Sequence, residues 1–208
     1  MVAVDPTSVD ALLARLASPG VLAGGGAAAA LTGAAAAALV QMVAGVAARH
    51  ASDAAAPAEI AAEADGLRRR LADLITLDVL AYNRVLEARR RRDAARPAAL
   101  RAALVGAIEV PLELAAACVR ILERCVDVLP FARPSTVADV GVACVLASAA
   151  LEGAIVTARA NLDGLDDSAF VADAGRRLDG LRRRGAELRA RLGPTFSDTT
   201  PGADAAPR

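Results

Sequence analysis

Apolar side chains along this chain recur at helical intervals. Leu67, Leu71 and Leu74 are spaced by four and three residues, and the same spacing continues at Leu100 and Leu104. Side chains three or four residues apart lie on one face of a helix. No stretch sustains the period-two alternation that a half-buried strand requires. The pattern predicts an all-α fold, a bundle of five to seven helices that includes two buried helices rich in Ala and Gly.

Prolines, glycines and capping residues divide the chain into the predicted helices. Thr7 and Asp10 stand in the relation of a capping box, and Pro57 and Pro97 suit the first turn of a helix. Pro111 lies inside an apolar segment, where it should kink the helix or split it in two. The predicted helices run from Thr7 to about Ala17 and over residues 27–48, 57–92, 97–126, 136–160 and 167–192. Residues 1–192 thus form one predicted domain, and 193–208, rich in Gly, Pro, Thr and Asp, a predicted disordered tail.

The stretch from Val21 to Ala48 carries no charged side chain and includes the triple glycine Gly24–Gly26. A helix that is apolar all round belongs in a protein core or in a bilayer. The run is long enough to span a membrane, but it is mostly Ala and Gly and lacks Trp or Tyr at its ends. We therefore predict a buried central helix and no membrane contact.

A second nearly all-apolar segment, residues 136–160, should lie beside the first. Two buried helices in a chain of 208 residues leave few partners to cover them. We therefore predict that association completes the core, most simply as a two-fold homodimer.

Composition narrows the classes of function. The chain has 24 basic and 24 acidic residues, and such a neutral balance gives no reason to expect nucleic acid as a partner. The absence of lysine excludes Schiff-base chemistry and a P-loop. Cys118, Cys125 and Cys144 make no disulfide framework, and with His50 the single histidine no pair has zinc-site spacing. These features predict a reduced, cytoplasmic protein without a metal.

Asp78 is the most informative candidate for chemistry. It lies four residues from Leu74, seven from Leu71 and four from Tyr82, which places its carboxylate on the apolar stripe. A buried charge is costly unless it is paired or lines a wet cavity. Asp78 is therefore either an acid suited to proton transfer, or a structural acid that is salt-bridged or reaches solvent at the stripe's edge.

Three further features have both a functional and a structural interpretation. Asp139 stands three residues after Thr136, so it either belongs to a site or only caps a helix. Gly24–Gly26 can adopt positive φ or let another group approach closely, and the free N–H groups of a helix start can hold an anion or a polar ring edge. Arg49, at the end of the central helix, is either a ligand for substrate or a partner of the helix dipole.

Several segments together resemble the cyclodeaminase/cyclohydrolase family, that is, formiminotetrahydrofolate cyclodeaminases and methenyltetrahydrofolate cyclohydrolases. They are the glycine-rich opening at 17–43, LeuAspValLeuAlaTyrAsnArgVal at 77–85, ValProLeuGluLeuAla at 110–115, AlaAspValGlyValAla at 138–143 and AlaAsnLeuAspGlyLeuAspAsp at 160–167. Each segment is a weak signal by itself. Their occurrence in order over residues 8–192 is specific for the family.

The resemblance implies an all-helical dimer that acts on the one-carbon unit bridging N5 and N10 of tetrahydrofolate. It implies no cofactor beyond this folate substrate, and a carboxylate that stabilises the cationic carbon and moves protons. Asp78 and Asp139 match family positions and are the predicted catalytic residues. Asn161 matches the second Asn of the family's Asn-x-x-x-Asn element. With Gly24–Gly26, Tyr82 and Arg49, it is predicted to bind the substrate.

We expect hydrolysis of 5,10-methenyltetrahydrofolate to 10-formyltetrahydrofolate, because no formiminotransferase domain is present to deliver a formimino group. Formiminotetrahydrofolate cyclodeaminase activity is the alternative. A third interpretation is a family member that binds folate, or acts as an assembly module, without turnover. Thr157 stands where the family usually has Asn, and the loop before Asp139 lacks the polar residues that are usual there. The folate interpretation predicts that Asp78, Asp139 and Gly24–Gly26 share one cavity.

Overall fold

The computed structural model describes residues 9–19 and 24–197. Over these ranges it has no strand, and the all-α prediction is confirmed. Within these ranges the chain forms six α-helices and one 3-10 turn, Leu129–Phe131. The helices are α1 (Val9–Ala17), α2 (Gly25–His50), α3 (Ala55–Arg90), α4 (Arg96–Val128), α5 (Val137–Leu162) and α6 (Ser168–Ser197).

Two helices differ from the prediction. α4 continues through Pro111 as one helix, so the proposed split is wrong. α6 continues past Leu192 to Ser197, so the first residues of the predicted tail are helical. Thr7 of the first capping box and residues 198–208 of the predicted tail lie outside the described residues.

Consecutive long helices run antiparallel. Gly26 and Gly33 of α2 face Asp78 and Leu71 of α3, so residue numbers fall along α3 as they rise along α2. By the same test α5 is antiparallel to α2, because Gly25 lies beside Thr157 and Ala29 beside Gly153. The start of α2, the second half of α3, the first half of α4 and the end of α5 therefore meet at one end of the bundle. This is an up-and-down arrangement of helices.

Small residues let α2 pack closely against its neighbours. A Cβ atom added at Gly33 would lie 3.3 Å from both Leu71 and Cys118, and one added at Gly153 would lie 3.2 Å from Ala29. Ala30, Ala36, Ala37, Val40 and Ala44 of α2 have no exposed surface. The prediction that α2 is a buried, small-residue helix is correct for this face of it.

Three helical segments are long and apolar enough to cross a membrane, judged by length and composition alone: α2, α4 with the 3-10 turn, and α5. About half of the most apolar stretch of each segment is buried inside the bundle, 44% for α2 and α5 and 56% for α4. The absence of a membrane partner therefore stays a prediction.

Arginine–carboxylate pairs join the outer surfaces of the helices. Glu113 pairs with Arg70 and Glu109 with Arg177, and all four side chains are exposed. Such exposed pairs contribute little stability individually. They do neutralise most of the arginines on α4 and α6.

Candidate functional site

A cleft of about 490 Å³ opens where the ends of four helices meet. The start of α2, the second half of α3, one turn of α4 and the end of α5 contribute its walls. Its lining residues are Pro19, Gly24, Gly25, Gly26, Asp78, Ala81, Tyr82, Ala107, Val156, Thr157, Ala160 and Asn161. Of the predicted site residues, Asp78, Tyr82, Asn161 and the three glycines therefore share one cavity.

Asp78 reaches from α3 to the start of α2. The backbone N–H of Ala27 donates a hydrogen bond to its carboxylate. The first N–H groups of a helix have no partner within the helix, and the positive end of the helix dipole favours a negative charge there. Asp78 thus caps α2 from another helix, since its N-cap residue Gly24 has no side chain to do so.

Burial raises the pKa of the Asp78 carboxyl above its usual value, and the hydrogen bond from Ala27 opposes this effect without cancelling it. Burial penalises the ionised form, whereas a donated N–H favours it. No arginine pairs with Asp78 among the described residues. The structure therefore favours an acid suited to proton transfer over the salt-bridged alternative.

The triple glycine serves close approach rather than positive φ. None of the described glycines has a positive φ, and Gly24 is extended, with φ −128° and ψ −156°. A Cβ atom at Gly26 would overlap the Asp78 carboxylate, and one at Gly25 would lie 3.6 Å from the Thr157 hydroxyl. Only a residue without a side chain at position 26 lets Asp78 reach the helix start.

Pro111 fixes the position of Asn161. A proline has no N–H, so the carbonyl four residues earlier in the helix, that of Ala107, has no partner in α4. The Asn161 side chain donates to this oxygen from Nδ2, at 2.7 Å. Because Nδ2 makes this bond, the other amide atom of Asn161, Oδ1, is left to accept a hydrogen bond in the cleft that Asn161 lines. The sequence indicated Pro111 only as a kink or break, although a carbonyl without an N–H partner can be inferred from any proline inside a helix.

Two other lining residues shape the cleft. Tyr82 is exposed at its rim, one turn beyond Asp78 on α3. The Thr157 hydroxyl donates a hydrogen bond to the carbonyl of Gly153 at 3.0 Å. Its proton is therefore used, and toward the cleft the hydroxyl oxygen can only accept a hydrogen bond. Val156, Ala160 and Ala81 contribute apolar walls, which the sequence analysis did not assign because small apolar residues carry no chemical signal.

Asp139 and Arg49 do not line this cleft, so the prediction that Asp139 shares a cavity with Asp78 and Gly24–Gly26 is wrong. Asp139 lies in the first turn of α5, seventeen residues before Val156, or about 25 Å along the helix. Arg49 lies in the last turn of α2, at the same far end of the bundle. The capping box proposed for Thr136 and Asp139 is also absent, because the Thr136 hydroxyl contacts the backbone of Arg133 instead.

The cysteines are structural in character. Cys118, Cys125 and Cys144 are buried, and burial raises the pKa of Cys118 to about 12. A protonated thiol is a poor nucleophile and a poor metal ligand. Over residues 9–19 and 24–197 no group of three or more His, Cys, Asp or Glu side chains is placed to hold a metal ion.

The cleft combines one half-buried carboxyl group of raised pKa, that of Asp78, with hydrogen-bond donors and acceptors. The N–H groups of Gly25 and Gly26 have no acceptor among the described residues and point out of the helix start. Asn161 Oδ1 and the Thr157 hydroxyl, both on α5, supply acceptors. This set can bind a flat polar ring, place a carboxylate beside a cationic carbon, and move a proton.

A double-mutant cycle tests the coupling of Pro111 to Asn161. Asn161→Ala should cost about 1–3 kcal/mol in free energy of unfolding, because it leaves the buried carbonyl of Ala107 without a donor. In a Pro111→Ala background the restored backbone N–H satisfies that carbonyl, so the same change should cost much less. Urea unfolding of the four proteins measures the coupling, and equal costs in both backgrounds would contradict it.

The raised pKa of Asp78 predicts how stability depends on pH. Because folding favours the protonated carboxyl, its contribution is complete below the unfolded pKa and is lost as pH rises through the folded pKa. Asp78→Asn, which cannot ionise, should therefore be more stable than the wild type at neutral pH, with the difference vanishing toward about pH 4. Urea unfolding across this pH range measures it.

The matched control for this comparison is Asp73→Asn, an exposed position on the same helix. It should change stability little at either end of the range. A wild type that is more stable than Asp78→Asn at neutral pH would show that ionised Asp78 contributes net stability.

Comparisons with known proteins agree on the family. A model of the formiminotransferase-cyclodeaminase family matches residues 8–180. The chain is 32% identical over 194 residues to a methenyltetrahydrofolate cyclohydrolase of Methylorubrum extorquens, covering 89% of this chain and 93% of the relative. Its fold is similar to that of a formiminotetrahydrofolate cyclodeaminase from Thermotoga maritima, with a TM-score of 0.85 and 22% identity over 91% of this chain and 96% of that one. The chain therefore belongs to the formiminotransferase-cyclodeaminase family.

Proposed function

We propose that this protein hydrolyses 5,10-methenyltetrahydrofolate to 10-formyltetrahydrofolate. The observation that carries the proposal is the half-buried Asp78 carboxylate at the start of α2, inside a cleft large enough for a ring system. The substrate carries a positive charge on the carbon that bridges N5 and N10. A carboxylate in a site of low polarity attracts such a charge more strongly than one in water.

The walls of the cleft suit the folate ring system. The Gly25 and Gly26 N–H groups can donate to a carbonyl oxygen of the pteridine, and Asn161 Oδ1 can accept from its amino group. Tyr82 at the rim offers an aromatic face for the ring attached to N10. Such contacts would bring the bridging carbon beside Asp78.

The proposed reaction uses Asp78 first as a base and then as an acid. Its carboxylate takes a proton from a water molecule while the water oxygen bonds to the bridging carbon, which gives a neutral tetrahedral intermediate. The protonated Asp78 then donates to N5 as the bond between the carbon and N5 breaks. The hydroxyl proton of the intermediate leaves to solvent and a formyl group remains on N10. A raised pKa suits both steps, because the best general acid–base groups titrate near the working pH.

Formiminotetrahydrofolate cyclodeaminase activity is the second candidate. There, N10 attacks the formimino carbon, ammonia leaves, and the carboxylate would carry the proton to the departing nitrogen. Hydrolysis is favoured because the cyclohydrolase relative is 32% identical, whereas the cyclodeaminase structure at 22% supports the fold alone. A member that binds folate without turnover is the third candidate.

We further propose that the reaction requires no cofactor besides the folate substrate and takes place in the cytoplasm. The proton-transfer steps involve no change of oxidation state. Three unpaired, buried thiols in one small domain suit a reducing compartment.

Loss of absorbance by 5,10-methenyltetrahydrofolate tests the leading proposal directly. The wild type should accelerate its decay over buffer, and Asp78→Asn should lower kcat by about a hundredfold or more, since a positioned acid–base group contributes about 10²–10⁴-fold. Asp73→Asn should leave the rate unchanged. Activity should fall below the raised pKa of Asp78, because hydrolysis begins with the carboxylate form.

The same protein incubated with 5-formiminotetrahydrofolate separates the candidates. Ammonia release without methenyl hydrolysis would favour the cyclodeaminase. If the protein shows neither activity but a folate analogue raises its melting temperature, it binds folate without turnover.

Gly26→Ala tests the role of the glycine start. The added methyl group would displace the Asp78 carboxylate, so kcat should fall by about tenfold or more while helix content is kept. Gly45→Ala is the matched control in the same helix, because a Cβ atom there has open space around it. It should keep full activity and raise the free energy of unfolding by about 0.5–1 kcal/mol. Equal activity of the two variants would contradict the assigned role of Gly26.

A further inference from the structure

A proline outside the cleft controls the hydrogen-bonding character of a group inside it. Pro111 is buried in α4 and does not line the cavity, whereas Ala107, one turn earlier, does. The proline cannot donate to the Ala107 carbonyl, so Asn161 Nδ2 supplies the donor from α5. A buried carbonyl without a donor is costly, and this cost holds the Asn161 amide in place.

The reverse orientation of this amide is disfavoured by its own chemistry. Turned over, Asn161 would set Oδ1 against the Ala107 carbonyl oxygen, and two acceptors would face each other. Asn161 therefore offers a ligand an acceptor and no donor. In a helix without the proline, the backbone N–H of residue 111 would satisfy the carbonyl, and the amide could turn either atom toward the cleft.

The polar groups beside Asn161 stand in a definite order. The Thr157 hydroxyl, one turn earlier on α5, donates to the Gly153 carbonyl and can only accept from a ligand. Gly25 lies next to Thr157, since a Cβ atom there would be 3.6 Å from its hydroxyl oxygen. The Gly25 N–H has no acceptor within the described ranges. From the start of α2 along α5, the cleft thus presents a donor, an acceptor and a second acceptor.

We infer that Pro111 is a specificity-determining residue: by fixing Asn161 as an acceptor, it makes the cleft select a flat heterocycle whose edge carries a carbonyl, a ring N–H and an amino group in that order. Resting on the proposed function, this edge is that of the 2-amino-4-oxo pteridine of folates. Its O4 accepts from Gly25, its N3–H donates to Thr157, and its 2-amino group donates to Asn161. A ring that lacks the amino group leaves Asn161 Oδ1 without a donor.

Nuclear magnetic resonance tests the orientation of Asn161 without a ligand. The chain has only Asn83, Asn161 and Gln41 as side-chain carboxamides, so their signals can be assigned by substitution. The Asn161 amide protons should exchange with solvent about tenfold faster in Pro111→Ala than in the wild type, because the Ala107 carbonyl no longer needs them. Those of Asn83, which has no hydrogen-bond partner in the described part of the chain, should exchange equally in both proteins. Equal exchange at Asn161 would overturn its fixed orientation.

Calorimetric titration with three compounds tests the specificity. Folic acid carries the complete edge, its 2-desamino-2-methyl analogue lacks the amino group, and aminopterin has an amino group in place of O4 and no N3–H. The wild type should bind folic acid about tenfold more tightly than either analogue, because each analogue leaves groups of the cleft unpaired. In Pro111→Ala the preference over the 2-desamino-2-methyl analogue should fall to about threefold or less, because the Asn161 amide is free to turn. The preference over aminopterin, which depends on Gly25 and Thr157, should be kept.

Pro97→Ala is the matched control, the same substitution in the first turn of α4, where a proline frees no helical carbonyl. It should leave all three affinities unchanged. If Pro111 served only the shape of α4, Pro111→Ala would alter the three affinities together and keep their ratios. That result would overturn the inference.

Asn161→Asp provides a rescue test. Its carboxylate cannot donate to the Ala107 carbonyl, so this variant should bind folic acid about tenfold more weakly than the wild type. In the Pro111→Ala background the backbone N–H satisfies the carbonyl, and the carboxylate can accept from the ligand. The double variant should therefore return to within about threefold of the wild-type affinity. A double variant as weak as Asn161→Asp would contradict the role of Pro111.

These measurements separate the inference from the proposed reaction, because they require no turnover. A protein that discriminates among the three compounds but does not hydrolyse 5,10-methenyltetrahydrofolate would refute the reaction alone. One that hydrolyses it but binds the three compounds equally, or binds none of them, would refute the specificity alone.

Discussion

The close approach that small residues permit around α2 is the constraint on which the rest of this structure depends. A Cβ atom added at Gly33 would lie 3.3 Å from Leu71 and Cys118, and one at Gly153 would lie 3.2 Å from Ala29, so even a methyl group would be tightly packed at either position. Helices that pack this closely bury little apolar area per residue, so many such contacts are needed to hold the bundle together. The same thinness lets a side chain from α3 reach the backbone of α2. The small side chains of α2 thus permit both the close packing of the bundle and the contact between Asp78 and the start of α2.

At the cleft, polar groups are satisfied between helices instead of within them. Asp78 of α3 caps α2, whose own N-cap is a glycine, and Asn161 of α5 satisfies the carbonyl that Pro111 leaves free in α4. Each arrangement couples two helices and at the same time fixes the orientation of a side chain that lines the cavity. Departures from local helix rules are therefore concentrated where the protein is expected to act.

Much of the fold was predictable because the apolar spacing is strongly helical and because Pro57 and Pro97 mark helix starts. Asp78 was identified because a charge on an apolar stripe is a conflict that local sequence reveals. Whether α4 is interrupted at Pro111 was left open by the sequence, since the compensating donor, Asn161, lies fifty residues away and is brought near by tertiary packing. Asp139 shows the opposite limit: a motif predicted it for the site, but the motif does not encode which end of a long helix meets the cleft, and the first turn of α5 lies at the far end.

The lining of the cleft spans the chain from Pro19 to Asn161. No contiguous pair of helices contains more than part of it, so α2, α3, α4 and α5 must all be docked before the cavity exists. Loop-closure entropy makes such long-range assembly a late event in folding. Partly folded forms in which α2 is not docked on α3 would expose the Asp78 carboxylate to water, and its pKa would return to the ordinary value. The raised pKa of Asp78 is thus a property of the packed bundle and not of α3 alone.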